Sequence, residues 1–228
     1  MTTVRAILTD IEGTTSAIAF VKETLFPFAE AALDTFLDAH GEDPKVAALL
    51  AEVPGPDRRA TLRRWMAEDV KATPLKSLQG LIWRAGFEDG RLKGHLWPDV
   101  APCLRAWAAA GITLAVYSSG SVEAQRLLFR HSVAGNLEGL FGGFFDTSIG
   151  AKRDAASYAA IARKLALPPA GILFLSDVAE ELDAASASGL ATCQLVRAAD
   201  GTLPSGRHLE ATDFPAVAQR FALPQAAG

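Results

Sequence analysis

The sequence predicts an α/β fold built on a doubly wound, mainly parallel, Rossmann-like sheet with one inserted helical segment. Short runs rich in Val, Ile, Leu and Phe recur along the chain and are nearly continuous rather than alternating, which is typical of strands covered on both faces. Helical patterns separate the later runs, as expected for a parallel sheet with crossover helices. One long interval contains helical patterns but no convincing strand, which indicates the insertion.

The predicted strands all combine an apolar run with flanking turn residues, and they span residues 4–11, 112–117, 144–147, 172–176 and 191–196. Apolar residues at helical spacing predict the helices that follow them, over residues 121–130, 154–167 and 179–188.

The insertion spans residues 17–97, so the core of the fold comprises residues 1–16 and 98–228. Its helical patterns cover residues 20–37, 60–70 and 75–87, and prolines 27, 44, 54, 74 and 98 separate or flank them. We expect this helical segment to lie over one end of the sheet.

Composition narrows the possible partners. The net charge is −4 with a pI near 5.6, and no basic stretch stands out, which argues against nucleic acid or an anionic membrane. The longest apolar stretch, near residues 107–117, is interrupted by Gly111 and is too short to span a bilayer. No signal peptide is apparent and Cys103 and Cys193 have no metal-type spacing, so we expect a cytoplasmic protein with reduced thiols. No heptad pattern is present, and a monomer is expected.

Polar residues stand at the carboxyl end of each predicted strand, where open α/β sheets bind their ligands. Asp10 and Glu12 follow the first strand, and Asp177 follows the fourth. Carboxylates from two strands can share a hard cation such as Mg²⁺. Because side chains at i and i+2 of an extended chain face the same way, Glu12 is expected beside Asp10.

The other two strand ends carry groups suited to phosphate. Ser118 and Ser119 open a helix in the segment "SSGS", where hydroxyl and main-chain N–H groups can hold an anion. Lys152 follows the third strand and supplies a positive charge for phosphoryl oxygens. These groups, in this order on successive strands, predict a site for a phosphate and a metal ion.

Three further acids, Glu180, Glu181 and Asp183, follow Asp177. We expect them to form the solvated first turn of a helix, where the helix dipole favours acids; a supporting role behind the site is the alternative. His95, near the end of the insertion, is the one histidine that we retain as a possible functional residue.

The ordered set Asp10-x-Glu12-Gly-Thr, Ser118/Ser119, Lys152 and Asp177 resembles the four signature motifs of the haloacid dehalogenase superfamily. Within it, the chain is similar to the enolase-phosphatase (acireductone synthase) family of methionine salvage. The segments "DIEGTT", "FVKETLFPFA", "YSSGSVEAQRLLF" and "FLSDVAEELDAASASG" carry this likeness, which covers nearly the whole chain.

The resemblance implies a catalytic role for Asp10, Glu12 and Lys152. Asp10 is the nucleophile that forms an aspartyl-phosphate and is also a ligand of one Mg²⁺ per subunit, together with Asp177 and Glu12. The superfamily normally has aspartate where Glu12 stands. Its main-chain carbonyl there binds magnesium whatever the side chain, whereas proton transfer by the Glu12 carboxyl is left open.

The remaining roles concern the substrate. The resemblance implies that Ser118, Ser119 and Lys152 bind the phosphate, and that residues 17–97 form a cap. The implied substrate is 2,3-diketo-5-methylthiopentyl-1-phosphate, a small phosphorylated diketone, which is enolised and then dephosphorylated to the acireductone 1,2-dihydroxy-3-keto-5-methylthiopentene. Glu23 is a hypothetical base for the enolisation, with an exposed helix turn as the alternative.

Four other functions are alternatives to this one. The nearest is a phosphatase of the same fold acting on another small phosphomonoester, such as a sugar phosphate or phosphoglycolate. A haloacid dehalogenase is disfavoured, since its chemistry needs no magnesium and leaves Asp177 without a purpose. A phospho-acceptor module without turnover is disfavoured by chain length, and a non-catalytic relative because all four polar positions are filled.

Overall fold

The computed structural model describes residues 3–225. Contacts divide the chain into two compact units, one comprising Met1–Ile18 with Gly94–Gly228 and the other Ala19–Lys93. The role of residues 17–97 as a cap remains a prediction. Across residues 3–225, no helix combines the length and the apolar character that crossing a bilayer requires.

The first unit contains a six-stranded sheet with the order β3-β2-β1-β4-β5-β6. All neighbouring strands pair in parallel. The strands are β1 (Ala6–Thr9), β2 (Thr113–Tyr117), β3 (Phe141–Phe145), β4 (Ile172–Ser176), β5 (Ala191–Leu195) and β6 (Glu210–Ala211). The predicted α/β fold with a parallel sheet is confirmed.

Helices of the first unit connect these strands and cover the sheet. They are α6 (Val100–Ala109), α7 (Val122–Arg130), α8 (Ala155–Lys164), α9 (Ala179–Ala187) and α10 (Phe214–Arg220). The short helix α1 (Ile18–Phe20) begins at Ile18, the last residue of the first of the two chain segments that form this unit. Side chains of Ser121 and Asp154 accept hydrogen bonds from the first-turn N–H groups of α7 and α8, which is why these helices begin there.

The sequence pattern misplaces one strand. It predicts a strand over residues 144–147, whereas β3 spans Phe141–Phe145. Phe141 pairs with Leu114 and Gly143 with Ala115, so Gly142 forms a bulge and the strand begins earlier than the apolar pattern suggests. The short strand β6 and the helix α10 also do not follow from the pattern.

The first unit has apolar packing typical of a doubly wound sheet. On one side, side chains of the central strands pack against α8 and α9, including Leu8, Tyr117, Tyr158, Phe174 and Leu182, all of them fully buried. The central strands β1 and β4 are buried along their whole length. Burial on both faces explains the nearly continuous apolar runs in the sequence.

The second unit is helical. It comprises a π-helical turn at Val21–Leu25 followed by α2 (Phe26–His40), α3 (Pro44–Ala51), α4 (Arg58–Ala67) and α5 (Thr73–Glu88). Pro27, Pro44 and Pro74 each lie in the first turn of a helix, where a missing N–H group costs nothing. Its core includes Leu33, Leu62, Leu78 and Ile82, which are contributed by α2, α4 and α5.

Candidate active site

Asp10 lies directly after β1, in the centre of the sheet, and only 5% of its surface is exposed. Its main-chain N–H donates to the carbonyl of Leu175 on β4 (2.9 Å), which continues the strand pairing up to this residue. The N–H of Ile11 donates to Asp10 Oδ1 (2.7 Å) and fixes the orientation of the carboxylate. A carboxylate held in this way is suited to in-line attack, because its approach is set before substrate binds.

A tight turn follows Asp10. The N–H groups of Thr14, Thr15 and Ser16 all lie within 3.2 Å of the carbonyl oxygen of Ile11. Gly13 occupies the left-handed region of backbone conformation, with φ of +70°. The chain therefore leaves the strand in a compact loop that glycine makes possible.

Gly13 also contacts the carboxylate of Asp177, which follows β4. A Cβ atom at position 13 would lie 2.4 Å from Asp177 Oδ2, closer than any real Cβ contact. Two segments from adjacent strands thus approach each other as closely as a glycine permits. The absence of a side chain at Gly13 is what admits the Asp177 carboxylate.

Lys152 lies between two acids. Its Nζ is 2.7 Å from Asp10 Oδ2 and 2.7 Å from Glu181 Oε2. Burial opposes its charge, but the charges of Asp10 and Glu181 outweigh burial and raise the pKa of Lys152. The hydroxyl of Tyr158 donates to the Lys152 carbonyl (2.7 Å) and holds the loop that carries the lysine.

The prediction that Glu181 lies in a solvated helix turn is wrong. Glu181 is buried, and its Oε2 also accepts a hydrogen bond from Ser176 Oγ (3.1 Å). Burial, together with the negative charge of Asp10, raises the pKa of Glu181. The expectation holds for its neighbours: Glu180 and Asp183 are about half exposed and pair with Arg207.

The segment that follows β2 supplies the phosphate-binding candidates. Parallel pairing of Thr9 with Val116 puts Ser118 level with the start of the loop after Asp10. Ser118 is buried and Ser119 is exposed. Gln125 Nε2 donates to the carbonyls of Gly120 (2.7 Å) and Phe145 (2.8 Å), so this amide ties the serine loop to the end of β3.

Glu12 lies within the turn, and its side chain is exposed. Its backbone forms an isolated parallel bridge with Ser16. The buried acid beside Asp10 and Lys152 is therefore Glu181 rather than Glu12. The resemblance assigns the main-chain carbonyl of Glu12 to the metal. Proton transfer by the Glu12 carboxyl stays a prediction.

The site has an excess of negative charge. Asp10 and Glu181 contact the ammonium of Lys152, and Asp177 lies near enough for the charges of all three to affect its pKa. Burial, followed by the charge of Asp10, raises the pKa of Asp177 to about 7. Asp177 Oδ1 is buried and has no hydrogen-bond partner among the described residues. An added divalent cation would relieve both features, so these residues fit Mg²⁺.

The acidic side chains do not by themselves form a complete metal-coordination site. Within residues 3–225, no group of three or more His, Cys, Asp or Glu side chains is placed to hold a metal ion. Mg²⁺ does not require one, because it commonly binds through one or two carboxylates and retains several waters. Asp10 and Asp177, with a main-chain carbonyl, match this mode of binding.

Of the two further residues singled out in the sequence, His95 contacts the end of the loop that follows Asp10, and Glu23 belongs to the second unit. His95 accepts a hydrogen bond at Nδ1 from the N–H of Ala17 (3.0 Å), so the proton of the neutral ring is on Nε2. Burial lowers the pKa of His95. Glu23 is exposed in the π-helical turn of the second unit.

Comparison with known proteins agrees with this fold. The family model of haloacid dehalogenase-like hydrolases matches residues 4–189. The structure of the Unknown transcript 4 protein of Saccharomyces cerevisiae superposes with a TM-score of 0.82 at 33% identity, over 92% of this chain and 98% of that one. CbbY from Rhodobacter sphaeroides, at 21% identity and a TM-score of 0.60, shares the fold over 92% of this chain and 95% of its own. The fold and site thus define a haloacid dehalogenase-like hydrolase.

Curated relatives identify the family to which the chain belongs within this class of hydrolases. Enolase-phosphatase E1 of Granulibacter bethesdensis is 58% identical over 96% of this chain and 97% of its own length. The protein of the same name from Acidiphilium cryptum is 53% identical, with 97% of each chain covered. The chain belongs to the enolase-phosphatase E1 family of these hydrolases.

Proposed function

We propose that the protein is a bifunctional enolase-phosphatase of methionine salvage. Its substrate is 2,3-diketo-5-methylthiopentyl-1-phosphate, which it enolises and then hydrolyses to the acireductone and inorganic phosphate. Near-full-length identity of 50% or more to enolase-phosphatases E1 is the observation that carries this proposal. The buried Asp10–Lys152–Glu181 cluster supports the phosphatase half of the reaction.

The geometry around Asp10 supports its proposed role in phosphate transfer. A carboxylate oxygen of Asp10 attacks phosphorus, and the bond from phosphorus to the substrate oxygen breaks as the aspartyl-phosphate forms. The departing oxygen takes a proton from an acid, for which Glu12 is the candidate. The Glu12 carboxyl, now ionised, takes a proton from water, which attacks phosphorus and releases phosphate with restoration of the Asp10 carboxylate.

The neighbouring groups manage charge during these steps. Lys152 Nζ is 2.7 Å from Asp10 Oδ2 and can neutralise negative charge on both the nucleophile and the transferring phosphoryl oxygens. Ser118 and Ser119 donate hydrogen bonds to the same oxygens. Asp10, Asp177 and the Glu12 carbonyl would hold one Mg²⁺, which neutralises phosphate charge and polarises an oxygen of the substrate.

The experiment is turnover of the diketo phosphate by purified protein with Mg²⁺, followed simultaneously by enol absorbance and phosphate release. Enol absorbance that rises before phosphate appears is the expected result. A panel of sugar phosphates and phosphoglycolate serves as the comparison. Faster turnover of one of these, without enol formation from the diketone, would instead assign the protein to the alternative of a simple phosphomonoesterase.

Chelation tests the metal. We expect exhaustive removal of divalent cations to abolish phosphate release and added Mg²⁺ to restore it. Ca²⁺ should bind but inhibit, because it prefers more ligands at longer distances and would engage Asp10 with both oxygens. Full activity after chelation would contradict the metal site.

We also infer that the protein acts as a monomer. The absence of a heptad pattern is the support for this. Light scattering coupled to size-exclusion chromatography tests it, and a mass near twice 24.1 kDa would contradict it.

A further inference from the structure

A fully engaged arginine lies behind the loop that follows Asp10. Arg197 comes two residues after β5, and it is buried with only 6% of its surface exposed. No feature of the sequence distinguishes it from the surface arginines. A buried guanidinium requires partners for all of its donors, so its contacts show what it holds in place.

All five N–H groups of Arg197 have acceptors. Nε and Nη2 donate to the carbonyl oxygen of Thr14 at 3.3 and 3.0 Å. Nη1 and Nη2 donate to the two oxygens of Asp99 at 2.8 and 2.9 Å. The second proton of Nη1 is directed to the carbonyl of Thr212 at 3.5 Å.

The planar guanidinium is also held on its faces. Its central carbon lies 5.4 Å from the ring centre of Trp97 and 5.8 Å from that of Phe214. Asp99 is fixed in turn, because its Oδ2 accepts a hydrogen bond from the N–H of Phe214 (2.9 Å). The guanidinium is therefore held in position by several contacts in addition to those with Thr14.

Thr14 connects this cluster to the candidate active site. It follows Gly13 directly, and Gly13 is the residue packed against the Asp177 carboxylate. The N–H groups of Thr14, Thr15 and Ser16 bond within the turn, to the carbonyl of Ile11. The N–H of Trp97 donates to the carbonyl of Thr15 (3.0 Å). Arg197 supplies the charged contact from outside the turn, at the residue next to Gly13. Two N–H groups of a charged partner on one carbonyl are a strong external restraint on where the turn lies.

We propose that Arg197 is a positioning residue for the active site. By holding the Thr14 carbonyl, it keeps Gly13 against Asp177 and thereby sets the separation of the Asp10 and Asp177 carboxylates. The predicted consequence is that Arg197 governs magnesium affinity without touching metal or substrate. This inference rests on the magnesium-dependent phosphatase half of the proposed function and is independent of the enolisation substrate.

The test compares Arg197→Met, Arg197→Lys and the wild type. Binding of Mg²⁺ to the metal-free protein is measured by calorimetry, and kcat and KM are measured with an aryl phosphate. We expect Arg197→Met to weaken Mg²⁺ binding about tenfold or more and to lower kcat, because the turn loses its restraint. Arg197→Lys keeps the charge but has no planar fork, so its Mg²⁺ affinity should fall between the other two.

A stability control separates positioning from general destabilisation. Val217→Ala leaves a cavity in the buried face of α10 and removes none of the hydrogen-bond or ring partners of Arg197. It should lower the midpoint of thermal unfolding while leaving Mg²⁺ affinity within about twofold of wild type. If it weakens Mg²⁺ binding as much as Arg197→Met does, the effect is one of stability and the proposal fails.

Other outcomes are equally decisive. Mg²⁺ affinity within twofold of wild type in folded Arg197→Met overturns the proposal. Should that variant not fold, Asp99→Asn provides the second measurement, since it removes the charge that orients Arg197 and is expected to weaken Mg²⁺ binding in the same direction. Failure of the wild type to turn over the diketo phosphate would overturn the proposed function but leave the Mg²⁺ comparison intact.

Discussion

At the scale of single residues, the candidate site is governed by buried charge. Lys152 contacts Asp10 and Glu181, and the charge of Asp10 contributes to the raised pKa of Asp177. One ammonium cannot balance three carboxylates in a buried environment. The cluster is therefore organised for an additional cation and for a phosphate that arrives with it.

Replacement of the nucleophile is the most direct test at this scale. Asp10→Asn keeps the shape of the side chain but cannot form the covalent intermediate, so phosphate release from an aryl phosphate should fall by about 10³-fold or more. Asp38→Asn, which changes an exposed carboxylate in the second unit, should have normal activity. Retention of more than roughly a tenth of wild-type turnover by Asp10→Asn would exclude covalent catalysis by this residue.

Glu181 should influence catalysis through Lys152. Glu181→Gln removes one of the two charges that raise the Lys152 pKa, so the basic limb of the pH–rate profile should move to lower pH. Glu180→Gln is the matched control, because the neighbouring acid is half exposed and pairs with Arg207. Identical profiles for the wild type and Glu181→Gln would show that the ion pair does not set the charge of the lysine.

At the scale of elements, the parallel strands bring the site together at one edge of the sheet. The loops after β1 and β4 lie side by side because these strands are neighbours in the centre of the sheet. Gly13 and Asp177 are the point of closest approach. The geometry of the site therefore depends on loop conformation as much as on the identity of its polar residues.

Two glycine substitutions separate the conformation of the loop from its packing. Gly13→Ala and Gly111→Ala both force alanine into the left-handed region, at φ of +70° and +80°, and each should cost about 1 to 2 kcal/mol of stability. A Cβ at position 13 would clash with the Asp177 carboxylate, whereas a Cβ at position 111 meets nothing within 4 Å.

Activity should therefore distinguish the two variants. We expect Gly13→Ala to lose about 100-fold in kcat/KM and to bind Mg²⁺ more weakly, because Asp177 must move. Gly111→Ala should retain normal kinetics. Equal activity of the two folded variants would show that the contact between Gly13 and Asp177 has no catalytic consequence.

At the scale of the whole molecule, the site reduces the stability of the metal-free protein near neutral pH. The pKa of Asp177 is about 7 in the folded state and near 3.8 when the chain is unfolded. Between these values the folded state holds a proton that the unfolded state has released. The contribution of Asp177 to the free energy of unfolding therefore falls as pH rises from about 4 to about 7.

Asp177→Asn should remove this dependence. In metal-free protein, the free energy of unfolding of the variant relative to the wild type should increase across this pH range, by on the order of a few kcal/mol, and level off above it. Denaturant unfolding at a series of pH values measures the difference. Mg²⁺ should stabilise the wild type above pH 7 much more than the variant, since it binds the ionised carboxylate. A difference that is flat with pH would contradict the raised pKa.

Much of the architecture was predictable from the sequence because it depends on local patterns. The buried strands β1 and β4 appear as apolar runs, and the helix starts at Ser121 and Asp154 coincide with residues that cap helices. The α/β fold and the enolase-phosphatase family follow from these patterns and motifs, and both are confirmed. The assignment of Asp10, Glu12, Ser118, Ser119, Lys152 and Asp177 as site residues stays a prediction.

The tertiary structure decided what local patterns leave open. Glu180 and Glu181 are adjacent acids at the start of α9, but a helix turns by about 100° per residue, so only one of them faces Lys152. Arg197 stands far from Asp99 and Thr14 in sequence, and the tertiary fold brings the three residues together. The sequence by itself determined which elements form and which chemistry they carry, because propensity and residue type are local properties. Which charge is buried and which loop is held depend on contacts between distant segments, and these exist only in the folded chain.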